Sequence, residues 1–95
     1  MPKGYWIAHV TVTNPDQYAL YAGATGEPFA KYGAKILARG GAYKALEGTD
    51  RPRNVVIEFP SMQAALDCYN SPEYQAARQN RIGAGVADIT IVEGA

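Results

Sequence analysis

The chain has 95 residues, 47% of them hydrophobic and 19% charged, with nine Lys/Arg against nine Asp/Glu and one Cys. That length bounds one globular domain over residues 1–95 and excludes two-domain enzymes, coiled coils and disulfide scaffolds. Zero formal charge, with no basic run and no acidic tail, leaves capture by nucleic acid or an anionic membrane surface without support, and no apolar run approaches membrane-spanning length.

From the N-terminus, Tyr5 to Val12 is β-branched and aromatic and predicts a first strand. Asn14-Pro15-Asp16 then supplies an N-cap, a proline at the first helical position and an acid for the macrodipole. Tyr18, Tyr21, Ala22, Thr25 and Phe29 follow at helical spacing. Gly26 and Pro28 predict a break in that helix, and Gly33 a left-handed cap. Ala34 to Arg39 reads as a second strand, with a bulge expected at Gly40-Gly41 before the strand resumes over Ala42 to Leu46. Glu47 to Arg53 is a polar hairpin loop, and Asn54 to Phe59 a third strand. Ser61 caps a helix carrying Met62, Ala65, Leu66 and Tyr69. Asn70-Ser71-Pro72-Glu73 starts another, carrying Tyr74, Ala77, Arg78 and Arg81 and ended by Gly83 and Gly85. Asp88 to Glu93 is the last strand.

This order is the split βαβ pattern of an α+β, ferredoxin-like fold: a four-stranded antiparallel sheet with helices on one face and the first and third strands in the centre. Each strand has one clean apolar face for the helices and one mixed face. The mixed sets contain Tyr5, Ile7, Val56 and Val92, too apolar for a solvent face, and mark an interface or a ligand surface. A chain this small buries only roughly 60 to 65% of the surface its unfolded form exposes, which also favours a homodimer.

On the mixed face His9 and Glu58 are expected as neighbours, and Arg39, sharing parity with Lys35 and Leu37, is expected to reach Glu58 from the edge. Such a cluster has the chemistry of a catalytic site, with His9 as general acid or base, Arg39 as anion holder and Glu58 orienting one of them. An Arg39–Glu58 ion pair bracketed by His9 is equally what a dimer interface needs to satisfy buried charge. The chain has seven tyrosines. Most are expected to pack structurally, while Tyr5, Tyr18, Tyr21, Tyr69 and Tyr74, with Arg81, are the candidates for substrate binding. Arg78 and Arg81 also read simply as solvated helix charges. His9 has no second ligand at metal spacing, and neither Gly40-Gly41 nor Gly83-Ala84-Gly85 matches a nucleotide fingerprint, so no metal or cofactor is expected. Cys68 reads as a small buried hydrophobe. With one Cys and no leader pattern ahead of the first strand, a cytoplasmic location is expected.

Gly4-Tyr5-Trp6-Ile7, Tyr32-Gly33, Ala38-Arg39-Gly40-Gly41, Glu47-Gly48, Glu58-Phe59-Pro60-Ser61 and Tyr69-Asn70-Ser71-Pro72-Glu73-Tyr74-Gln75 together resemble DUF1330, a family of unknown function, over nearly the whole chain. The chain departs from that pattern at Ala34-Lys35, where Gly-Arg is expected, and at Cys68, where an aromatic usually precedes the Tyr. The resemblance implies a dimeric α+β barrel, in which two sheets pack face to face. That superfamily includes cofactor-independent monooxygenases, isomerases, haem-degrading enzymes and proteins without known activity. The combined expectation is a homodimer that binds a small aromatic or carboxylate metabolite, as a cofactor-independent enzyme or as a non-catalytic dimer whose polar cluster serves only the interface.

Overall fold

The computed structural model describes residues 2–95. The elements are β1 (Gly4–Val12), α1 (Pro15–Ala24), α2 (Gly26–Lys31), β2 (Lys35–Arg39), β3 (Arg53–Phe59), α3 (Met62–Asn70), α4 (Pro72–Arg81) and β4 (Gly85–Glu93). The sheet order is β2-β3-β1-β4, with β1 antiparallel to both central and edge neighbours, so the fold is ferredoxin-like α+β as expected. Among the described residues no helix is long and apolar enough to cross a membrane.

Local chemistry sets the helix boundaries. The Asn14 side chain accepts from the Gln17 N–H at 3.2 Å, with Pro15 in the first helical turn. The first helix stops at Thr25 because Pro28 has no N–H for the Ala24 carbonyl and its ring would crowd that oxygen. α2 closes in a Schellman turn: Gly33 takes φ +76°, and the Ala34 N–H bonds the Phe29 carbonyl at 2.9 Å. Ser61 caps α3 through the Ala64 N–H. Ser71, which is buried, donates to the Cys68 carbonyl at 2.7 Å and accepts from the Tyr74 N–H at 3.1 Å. One hydroxyl thus ends α3 and starts α4.

The core lies between the sheet and the helices. Trp6 is its centre, packing edge-on against Phe29 and Tyr74 with ring centroids at 5.4 and 4.9 Å, and stacking on Phe59 at 6.1 Å. Each such pair adds about 0.5 to 1.5 kcal/mol beyond the area it buries.

Two expectations for the β2 region are corrected. The strand does not resume over Ala42 to Leu46; residues 40–52 form a loop outside the sheet. β2 is an edge strand whose one neighbour is β3; the Gly40 N–H makes a last bond across to the Asn54 carbonyl at 2.9 Å, and β3 begins at Arg53, so the residues from Ala42 on have no ladder to join. The bulge also lies earlier than Gly40-Gly41. Ile36 pairs with Ile57 and Ala38 with Val56, which makes Leu37 the extra residue. β4 begins at Gly85, before the expected Asp88.

Replacing Ser71 by Ala leaves the buried Tyr74 N–H at the start of α4 without its partner and takes one of two bonds from the Cys68 carbonyl, which keeps the Ser71 backbone N–H at 3.2 Å. Denaturant unfolding should show a loss of about 1 to 2 kcal/mol with an unchanged m-value.

Candidate functional site

The expected constellation of His9, Arg39 and Glu58 does not form. Glu58 stands opposite Tyr5 and His9 opposite Asn54, so at about 3.3 Å per residue the two are roughly 13 Å apart along the strands. The bulge at Leu37 reverses the parity of the residues after it. Arg39 therefore pairs with Val55 and faces the helices, and Lys35 is the residue beside Glu58.

On the open face Tyr5 donates to Glu58 at 3.2 Å. Burial of the phenol, ahead of that bond, raises the Tyr5 pKa. His9 Nδ1 meets Asn54 Oδ1 at 2.6 Å, which assigns the proton to Nδ1 because an amide oxygen only accepts. Arg51 bonds Asp88 at 2.8 Å and Thr11 at 3.2 Å. Around these pairs lie Ile7, Val56, Val86 and Val92, the last two 50% and 44% exposed. A more open groove by His9, Asn54, Arg51 and Asp88 is walled by loop residues Tyr43 to Thr49.

The enclosed site lies on the other side of the sheet. A cavity of about 370 Å³ opens between sheet and helices, within the range of small-molecule pockets. Trp6, Tyr18, Tyr21, Phe29, Val55, Ile57 and Ile89 give it an apolar and aromatic lining. Room exists because Ala8, Ala22, Gly26, Ala30, Ala34 and Ala87, at facing positions, are small.

Its charge is one-sided. Arg39 at the end of β2, Arg53 at the start of β3 and Arg81 at the end of α4 all line it, and antiparallel topology brings these termini to one end of the molecule. The Arg53 guanidinium lies 5.4 Å from the Tyr18 ring centroid, and that of Arg81 lies 5.2 Å from the Tyr21 centroid. Gly40, at φ +65°, lets Arg53 pass over the backbone, since a Cβ there would stand 2.9 Å from an Arg53 nitrogen. The Nε atoms of Arg53 and Arg81 are buried without a hydrogen-bond partner. Among the described residues the ion pairs are Lys31–Glu73 and Arg51–Asp88, and none of the three arginines belongs to one. The result is a cationic mouth over an aromatic floor. Such a shape takes an anion at the rim and an apolar body within.

Of the tyrosines that the sequence singles out, Tyr18 and Tyr21 line the cavity, Tyr69 and Tyr74 pack on Trp6, and Tyr5 lies on the opposite face. Arg53 escapes the sequence reading because it falls in the expected loop, although extending the alternation Phe59, Ile57, Val55 by one more step puts it on the buried face. Cys68 is buried, and burial pushes its thiol up to about 12. Among the described residues no three of His, Cys, Asp and Glu converge on a metal-sized space.

The model of DUF1330, a domain of unknown function, matches residues 3–95. A crystal structure of a protein of unknown function from Rhodopseudomonas palustris superposes with a TM-score of 0.75 at 21% identity, covering 99% of this chain and 83% of that one. SnoaB, a cofactor-independent oxygenase from Streptomyces nogalater, gives 0.64 at 12% identity, covering 97% and 92%. A dimeric protein of unknown function with a ferredoxin-like fold from Bacteroides fragilis gives 0.57 at 13%, covering 96% and 95%. At these identities the likeness is one of fold. No curated protein matches the sequence significantly.

The Cys68 thiol, protonated and enclosed, should resist iodoacetamide at pH 8 in the native protein and react fully once denatured. Mass spectrometry of the alkylated protein checks this; rapid native labelling would refute it.

Proposed function

The chain belongs to the DUF1330 family, and from that premise we propose that it is a homodimer binding a small organic anion with an aromatic body in the cavity between sheet and helices. The observation that carries this reading is the set of three arginines, without carboxylate partners, at the mouth of an aromatic-lined cavity. Unpaired guanidinium groups beside an apolar enclosure favour a carboxylate over a neutral group, because a neutral ligand leaves their charge uncompensated. Arg39 keeps the part of anion holder in this reading, joined by Arg53 and Arg81.

The open sheet face supplies the subunit interface. It combines exposed apolar residues with polar pairs already satisfied within the chain, His9 with Asn54 and Tyr5 with Glu58, so covering it strands few hydrogen-bonding groups. His9 and Glu58 then serve assembly. The dimeric state of structural neighbours such as the Bacteroides protein supports the same arrangement. Catalysis without a cofactor is a second reading, favoured by the neutral Tyr21 phenol on the cavity wall and by the fold shared with the Streptomyces oxygenase. Oxygen uptake, or its lack, on adding a bound ligand separates that reading from plain binding.

Trp6 is the single tryptophan and lines the cavity, so its emission reports occupancy. An aryl carboxylate such as phenylacetate should change it saturably, and the corresponding amide should bind at least about tenfold more weakly. Arg39→Gln or Arg53→Gln should weaken the carboxylate by roughly 10- to 100-fold, the worth of about 1.5 to 3 kcal/mol for a charged hydrogen bond. Equal affinity for acid and amide would refute the reading. For assembly, sedimentation should find wild type dimeric and Val56→Glu monomeric yet folded, since the variant buries an unpaired carboxylate in the interface; a dimer unaffected by Val56→Glu would place the interface elsewhere.

A further inference from the structure

We propose, resting on the anion-binding reading above, that Tyr21 and Tyr74 form a hydrogen-bond donor relay that recognises an oxygen acceptor on the body of the ligand, making the preferred ligand an aromatic carboxylate that also carries a carbonyl between ring and carboxylate. The two hydroxyls, one on α1 and one on α4, meet at 2.8 Å in a buried setting. That contact uses one O–H. The other hydroxyl's proton has no acceptor among the described residues, and a buried donor without an acceptor costs free energy.

Only one of the two can deliver that proton to a ligand. Tyr74 is fully buried and packs on Trp6, whereas Tyr21 lines the cavity. The relay therefore runs from the Tyr74 O–H to the Tyr21 oxygen and from the Tyr21 O–H into the cavity. The Arg81 guanidinium lies 5.2 Å from the Tyr21 centroid and its charge acts on both hydroxyls. Burial raises the pKa of both phenols, so both remain O–H donors through the physiological range. A pair of this kind selects an acceptor on the ligand.

Position assigns the place of that acceptor. Tyr18, under Arg53, packs on Tyr21 at 5.3 Å; Tyr21 packs on Tyr74 at 6.1 Å; Tyr74 packs on Trp6 at 4.9 Å. Tyr21 thus stands between the cationic mouth and the aromatic floor. A ligand with its carboxylate at the arginines and its ring near Trp6 carries the oxygen in between.

The test pairs 4-oxo-4-phenylbutanoate, which has this spacing, with 4-phenylbutanoate, which lacks only the carbonyl, measured by calorimetry on wild type, Tyr21→Phe and Tyr74→Phe. Wild type should prefer the oxo acid at least tenfold. Tyr21→Phe should bind both acids alike, keeping its affinity for 4-phenylbutanoate, which also shows that the variant is folded. Tyr74→Phe should keep a preference within about threefold of wild type, because Tyr21 retains its own proton. A preference that survives Tyr21→Phe, or wild type binding both acids equally, would overturn the relay and leave the anion site standing. If wild type binds neither acid, the anion site falls and the relay with it.

Discussion

The indole of Trp6 sets the separation between sheet and helices, and with it the space available for a ligand. It contacts rings from α2, β3, α3 and α4: Phe29, Phe59, Tyr69 and Tyr74. Large rings at this end hold the helical layer away from the strands. Several other positions on the cavity wall are alanine or glycine, which do not fill the gap so created. The cavity is thus a consequence of side-chain size.

The polar residues divide by strand parity. On one face arginines from β2, β3 and α4 gather at a single end without acidic partners, in a chain whose formal net charge is zero. On the other face Tyr5 is paired with Glu58 and His9 with Asn54, among exposed Val86 and Val92 and half-buried Ile7 and Val56. Uncompensated charge beside an enclosure asks for a ligand, and satisfied polar groups among apolar ones suit a protein surface. The bulge at Leu37 decides the division, because it moves Arg39 from the second face to the first.

Much of this is legible in the residues. The order of elements, the caps at Asn14, Ser61 and Ser71, the break near Gly26 and the turn at Gly33 all arise from side-chain chemistry within a few residues of each boundary. The face carrying Arg39 is not. Lys35, Leu37 and Arg39 alternate without a flaw, and the extra residue is imposed by pairing with β3, a contact that local sequence does not encode. By composition Gly40 is the better site for a bulge, but its left-handed backbone instead ends the strand and makes room for Arg53. The end of β2 is hidden for the same reason: Ala42 to Leu46 contains no Gly or Pro to break a strand, but it has no partner strand at that height. Arg53, one step outside the expected third strand, lies in plain alternation with Val55 and Ile57.

The central claim is that an organic anion is held by the three arginines on the helix side of the sheet. NMR of the protein saturated with phenylacetate, observing the guanidinium Nε–H resonances, tests it most directly. Large shifts are expected at Arg39, Arg53 and Arg81, with Arg51 and Arg78 unmoved. Shifts confined to Arg51 and the His9 ring would place the ligand in the groove on the opposite face and contradict the claim.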